Sequence, residues 1–248
     1  MHTPTSDEQP IVNNQLREFA KDLTPPFIWK LARKARSIVR RSLTSAENRQ
    51  ENGGKRQELD IYWDPKMAEV LETWGEGNAW HEIRLLLVRR HGKVLDIACG
   101  TGRVMTIVQK ETGLDVHGCD ISDFLISKAV HRGLKSEKLL VCDATNMPYE
   151  ENLFEYAYSI GSLEHFTQEG IDQVFNACKR VVNNTSFHMI PVSRSGKDEG
   201  WITPYQAYFN NSVGWWTRKA EAVFQNVEVL DSLWEDDRSV GRWLVCSR

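Results

Sequence analysis

Several things are missing from these 248 residues, and each absence closes off a class of protein. No apolar run approaches the roughly 20 residues that a membrane span requires. The opening MHTPTSDEQP is too polar to act as a secretory signal. The five cysteines contain no CxxC pair, so a structural zinc site is not expected. An odd set lying inside apolar runs is no disulfide framework either, and Cys119, Cys142 and their fellows read as small buried residues in a reducing compartment. No phosphate loop of the form GxxxxGK[ST] occurs, and neither repeat nor low-complexity tract is visible. Acidic residues are absent from Leu23 to Ala46, where Lys30, Arg33, Lys34, Arg36, Arg40 and Arg41 crowd together. The formal charge of -3 therefore averages a basic segment with an acidic remainder, which argues against a surface built to coat nucleic acid.

What is present is ordinary for a globular chain: 41% hydrophobic and 26% charged residues. Residues 1–58 read as a polar tail, a basic amphipathic helix and a linker. In the helix, Ile28, Leu31, Ala35 and Ile38 share one face of the segment 27–43. Residues 59–248 read as the catalytic domain. It divides into two cap helices at 59–92, broken by Gly75 and Gly77 and marked by Trp63, Trp74 and Trp80, a core at 93–193, and an aromatic loop with terminal strands at 194–248. Within the core, strand and helix patterns alternate as a parallel sheet with crossover helices requires: VLDIAC, DVHGCD, KLLVCD, FEYAYSI and SFHMIPVS alternate with amphipathic stretches.

The chemistry concentrates at strand ends. VLDIACGTG runs a strand into a small-residue turn, where a backbone without side chains lets a ligand approach closely. The acid inside that strand, Asp96, suits an ammonium group and would repel a pyrophosphate. About twenty residues past Gly100, Asp120 ends the next strand, where nucleoside-binding α/β folds place a carboxylate on ribose hydroxyls. Asp143 ends the third strand, placed to accept from an adenine amino group. Asp120 and Asp143 each also suit capping the helix that follows.

The stretch VLDIACGTGR resembles the first motif of class I S-adenosylmethionine-dependent methyltransferases. HGCDIS resembles their second, and CDATNMPYEENLFEYAYSIGSLEHF their third and fourth, in the manner of the small-molecule branch. The resemblance implies a doubly wound, Rossmann-like sheet of seven mostly parallel strands with helices on both faces, preceded here by a helical extension. It implies S-adenosyl-L-methionine as cofactor. Asp96, Ala98, Cys99, Gly100, Thr101 and Gly102 fall around the methionine moiety, Asp120 and Ile121 on ribose and adenine, Asp143 and Ala144 on adenine, and Ser159 and Ile160 beside the sulfonium. Ala98 departs from a usual glycine and Glu155 from a usual aspartate.

His165, just past the fourth strand, is the candidate general base for a hydroxyl acceptor, with packing beneath the cofactor as the other reading. His188 reads as a buried, satisfied histidine. Trp201, Tyr205 and Tyr208 fall where the family places acceptor recognition, and a sugar or flat ring would stack on them; a packed cap is the alternative. The basic segment and ETWGEGNAWHEI resemble parts of enzymes found with bacterial surface-polysaccharide assembly. The expectation is an O- or N-methyltransferase for a small molecule, a sugar or glycan intermediate being preferred. It would be cytoplasmic, with peripheral membrane contact through residues 27–43 open and no nucleic acid or metal expected. Alternatives are a lipid or quinone methyltransferase, a non-catalytic cofactor-binding subunit, and a nicotinamide dehydrogenase, which Asp96 opposes.

Overall fold

A computed structural model describes Gln57 and residues 59–203 and 206–248. The basic segment 27–43 and its neighbours in the polar tail, together with Tyr205, lie outside the described residues.

The described residues form a seven-stranded sheet. Its strands, in chain order, are β1 (Lys93–Ile97), β2 (Asp115–Asp120), β3 (Leu139–Val141), β4 (Phe154–Ile160), β5 (Val182–Ser193), β8 (Asn226–Glu235) and β9 (Ser239–Ser247). Their spatial order is β3-β2-β1-β4-β5-β9-β8. The first five run parallel, and β9 inserts antiparallel between β5 and β8. A two-stranded ribbon of β6 (Trp201–Ile202) and β7 (Tyr208–Phe209) stands apart. The doubly wound, mostly parallel sheet expected from the alternation is what forms. After β3 the chain returns to the far side of β1, so the switch in strand order falls between β1 and β4, where such sheets leave a crevice at their carboxyl ends.

The helices follow from capping and periodicity. Helix α3 (Arg103–Thr112) lies between Gly102 and Gly113, both left-handed at φ 71°. Helix α4 (Asp123–His131) starts at Ser122, whose side chain accepts from the Leu125 N–H. Helix α5 (Gln168–Val181) is capped by Thr167 and buries Ile171, Val174, Phe175, Cys178 and Val181, an apolar stripe at helical spacing. Helix α6 (Val213–Glu221) buries Trp216 and Ala220.

Two cores result, one on each face of the sheet. One gathers Leu95, Ile97 and Ala157 of the strands with α5 and α6 residues such as Phe175 and Trp216. The other gathers Val94, Tyr158, Phe187, Met189 and Trp243 with Met105 and Val108 of α3 and with Ile83 of α2 (Ala79–Leu86). Each fully buried large side chain contributes about 1.5–3 kcal/mol of transfer free energy. Helix α2 is moored through Glu82. Its Oε2 accepts from Trp243 Nε1 and Ser232 Oγ, both at 2.7 Å, and its Oε1 accepts from the Leu233 N–H at 2.6 Å.

Three details differ from the sequence reading. KLLVCD stops being a strand at Val141, because Asp143 turns to cap the 3-10 turn Ala144–Asn146. The first cap pattern shortens to a 3-10 turn, Asp60–Trp63, and a six-residue helix α1, Pro65–Val70. Strand β5 begins at Val182, directly out of α5, four residues before the apolar run that signals it.

Candidate functional site

One cleft opens over the carboxyl ends of β1, β2 and β4, with a volume of about 1090 Å³ including the space open to solvent. Its floor is the turn after β1. Ala98 takes φ 57° and Gly100 φ 55°, both left-handed, and both residues line the cleft. Alanine there costs about 1–2 kcal/mol relative to an unstrained position. Gly102 is constrained by space as well as by conformation. A Cβ on it would press on Leu134 Cδ1 and lie 3.0 Å from Ala129 Cβ of α4, so a larger residue here would force both neighbours to shift.

The three acids of the sequence reading are placed differently from one another. Asp120, buried at the tip of β2, bridges two strand ends: Oδ2 accepts from the Gly100 N–H at 2.9 Å and Oδ1 from the Ser122 N–H at 2.9 Å. Burial raises its pKa, and the backbone donors partly offset that rise. Asp96 is 4% exposed, and its Oδ2 is buried with no hydrogen-bond partner. The Tyr158 hydroxyl approaches it without reaching hydrogen-bonding geometry and is likewise unpaired. Burial pushes the Asp96 acid well above the usual carboxylate range, with the Asp120 charge adding to the rise and Tyr158 opposing it. Asp143 lines the cleft, but its Oδ1 accepts from the Thr145 N–H at 2.8 Å, so one of its oxygens serves as a turn cap.

Cys99, Thr101, Ile121, Ala144 and Ile160 line the cleft with these acids. Ser159 does not. Strand side chains alternate, so with Ile160 facing the cleft Ser159 turns into the opposite core, where its hydroxyl meets His188 Nδ1 at 2.9 Å. His188 is fully buried and satisfied, with Nε2 3.0 Å from Ser186 Oγ. The Ser159 side chain, expected beside the sulfonium, therefore does not face the cleft.

The acceptor-side aromatics are also redistributed. Trp201 packs edge-on against Phe209 at 4.6 Å between ring centres. Tyr208 is 9% exposed and its hydroxyl lies 3.3 Å from Ser239 Oγ. Neither lines the cleft: Trp201 packs within the β6–β7 ribbon, and the Tyr208 ring meets His165 edge-on at 6.3 Å between ring centres. The outer wall is instead formed by residues to which the sequence reading assigned no role: Tyr62, Met67, Leu71, Trp74, Phe166 and Gln206. Gln206 Nε2 donates to Tyr62 Oη at 2.8 Å across 144 positions of sequence. Trp74 is one of the three tryptophans that mark the cap in the sequence. Its ring lies over Gly161, where φ is +62° and a Cβ would come within 2.5 Å of the indole. The wall is tied to the floor by Arg132, which pairs with Glu72 and donates from Nε to the Thr101 carbonyl at 3.0 Å.

His165 faces the cleft. Its Nδ1 lies 2.9 Å from the Ala207 carbonyl, which only accepts, so Nδ1 carries the proton and the Nε2 lone pair is bare. Burial pushes its pKa down to about 4, with the Ala207 bond opposing, so the ring is neutral.

A doubly wound sheet with a glycine turn after its first strand, acids at the tips of the first two and an antiparallel strand next to the far edge defines the class I methyltransferase architecture. Residues 94–185 match the family described as "Methyltransferase domain", and those residues carry the likeness to that S-adenosylmethionine-dependent class. Among curated relatives, it is 30% identical over 118 residues to the sterol 24-C-methyltransferase of Schizosaccharomyces pombe, covering 44% of this chain and 31% of that one. It is 30% identical over 128 residues to the methyltransferase GfsG of Streptomyces halstedii, covering 49% and 45%. The chain thus spans less than half the length of these relatives. In fold it is similar to a chain from the complex between the Trm112 methyltransferase activator and a methyltransferase of Haloferax volcanii, with a TM-score of 0.62 at 13% identity over 78% of this chain and 99% of that one. It is also similar to phosphoethanolamine N-methyltransferase 2 of Haemonchus contortus bound to S-adenosylhomocysteine, with a TM-score of 0.54 at 18% identity over 67% and 52%. Among the described residues no group of three His, Cys, Asp or Glu side chains is placed to hold a metal, and no helix is long and apolar enough to cross a membrane.

Proposed function

We propose that this chain is an S-adenosylmethionine-dependent O- or N-methyltransferase acting on a small-molecule acceptor. The observation that carries the reading is Asp96. A carboxyl buried in the wall of a cleft, with one oxygen unpaired, is costly unless a cation or donor completes it. The ammonium of the methionine moiety would do so, Asp120 would hold the ribose, and the short side chains of Ala98, Gly100 and Gly102 leave the turn open for close approach. Ile121, Asp143 and Ala144 would flank the adenine. The cofactor supplies an electrophilic methyl group. The protein's own work is to orient the acceptor against that group, exclude water, and accept an acceptor proton at the bare Nε2 of His165.

A sugar or glycan intermediate of surface-polysaccharide assembly is the preferred acceptor. Tyr62, Trp74 and Phe166 offer aromatic surface on which a sugar ring can stack, and Gln206 and Ser162 offer neutral hydrogen-bonding groups. A lipid-like acceptor is the second reading, favoured by the apolar run of Leu59, Met67 and Leu71 along the same wall. Calorimetry with S-adenosylhomocysteine tests the cofactor assignment, and no binding heat at high protein concentration would end it. Labelled-methyl transfer into soluble and membrane extracts then separates the two acceptor classes, because label in a lipid-extractable product would displace the sugar.

A further inference from the structure

Behind His165 sits a group for which neither packing nor the cofactor reading has a use. Glu164 is 4% exposed on the 3-10 turn Leu163–His165, and its Oε2 is buried with no hydrogen-bond partner. Its Oε1 lies 3.7 Å from His165 Nε2, the same nitrogen whose lone pair is left bare by the Ala207 bond. Among the described residues no lysine or arginine is paired with it. The charged side chains of the packed helix α5 are engaged elsewhere: Asp172 with Lys219, Lys179 with the Val223 carbonyl, Arg180 with the Met147 and Tyr149 carbonyls, and Glu169 with Gln173. From the β6–β7 ribbon, Tyr208 is the titratable side chain that senses the Glu164 charge. On β5, His188 is held by two serine hydroxyls.

An apolar residue of the same volume would be cheaper at such a position. We propose that Glu164 is a positioning residue for proton removal: as a carboxylate, it raises the basicity of His165 and holds the imidazolium formed when His165 takes the acceptor's proton. In that step the acceptor O–H or N–H bond breaks with its electron pair left on oxygen or nitrogen, and the proton binds the Nε2 lone pair. Charge develops as an imidazolium–carboxylate pair in a dry setting, where the attraction is strong. Burial pushes the Glu164 acid up to about 8, so the competent carboxylate is gained as pH rises through that value. This inference rests on the methyltransferase reading only for the identity of the step, since the pairing of Glu164 with His165 can be measured without an acceptor.

The test is a nuclear magnetic resonance titration of the histidine ring signals of the full chain, with and without S-adenosylhomocysteine. The His165 signal is identified among the seven histidines by its loss in His165→Gln. In the unaltered protein the His165 signal should move with a midpoint near pH 8 as Glu164 ionises. In Glu164→Gln, which keeps the volume and removes the charge, that movement should vanish while S-adenosylhomocysteine binding persists. A flat His165 signal between pH 6.5 and 9.5 in the unaltered protein would overturn the inference, even if the variant failed to fold. The same holds for a midpoint that survives in Glu164→Gln. Absent binding of S-adenosylhomocysteine with the pH 8 midpoint intact would instead defeat the methyltransferase reading and leave the pair standing.

Discussion

Asp120 and Gly100 lie twenty residues apart in sequence and are joined by a single hydrogen bond of 2.9 Å, from the Gly100 amide to Asp120 Oδ2. That bond ties the glycine turn after β1 to the tip of β2, and the other Asp120 oxygen secures the Ser122 amide at the start of α4. Asp120→Ala would strand two amides at once. The expected cost is about 1–3 kcal/mol for each buried unpaired donor, read as a fall in melting temperature. Binding of S-adenosylhomocysteine should weaken by at least about tenfold, a loss of roughly 1.4 kcal/mol. A variant with unchanged melting temperature would show that the turn does not depend on this bridge.

Asp96 should behave in the opposite sense toward stability. Its folded pKa lies well above 3.8, so the folded protein binds the proton more tightly than the unfolded chain does. The stability from this group is present at low pH and is lost as pH rises from about 3.8 through the raised folded value. Asp96→Asn keeps the shape and removes the ionisation, so it should stabilise the ligand-free protein at neutral pH relative to the parent, with the difference shrinking as pH falls. The same variant should lose cofactor affinity. Denaturant melts across pH, paired with calorimetry, read both; a variant less stable than the parent at pH 7 would contradict the unpaired carboxyl.

His165→Ala should lower turnover by about a hundredfold while leaving S-adenosylhomocysteine affinity within a factor of a few. Because the ring titrates at about 4, its own protonation should not suppress turnover anywhere between pH 5 and 7. Equal turnover in parent and variant would remove the proton-accepting role and return His165 to packing.

Ala98→Gly relieves a left-handed residue at φ 57°. The gain, about 1 kcal/mol of released strain less the added freedom of the unfolded glycine, should appear as a small rise in melting temperature. A drop of more than 1 kcal/mol would mean that the alanine methyl makes contacts that outweigh its strained backbone.

The strand–turn–helix at Lys93–Thr112, the Ser122 cap and the span of β4 were all legible because each is set by neighbours in sequence: alternating or helical apolar spacing, a capping hydroxyl, a glycine where the chain must turn. The acids at the tips of β1 and β2 were legible for the same reason, since a strand's last residues necessarily lie at its carboxyl end. The Ser159 side chain faces away from the cleft, which the identity of the neighbouring residues does not reveal without knowing which face of the strand meets it.

The aromatic loop shows the other limit. Trp201 and Tyr208 have the composition of a binding surface, yet β6 and β7 pair with each other and direct both rings into packing, while Gln206 between them reaches Tyr62. By itself the sequence determined the sheet, its crossovers and the acids at the strand tips, because period and capping act over a few residues. Only the tertiary structure decided which side chains wall the cleft, which oxygens of Asp96 and Glu164 go unpaired, and which nitrogen of His165 is bare. Those outcomes depend on groups 42 to 144 positions apart being brought within a hydrogen bond of one another, and no local pattern encodes such a distance.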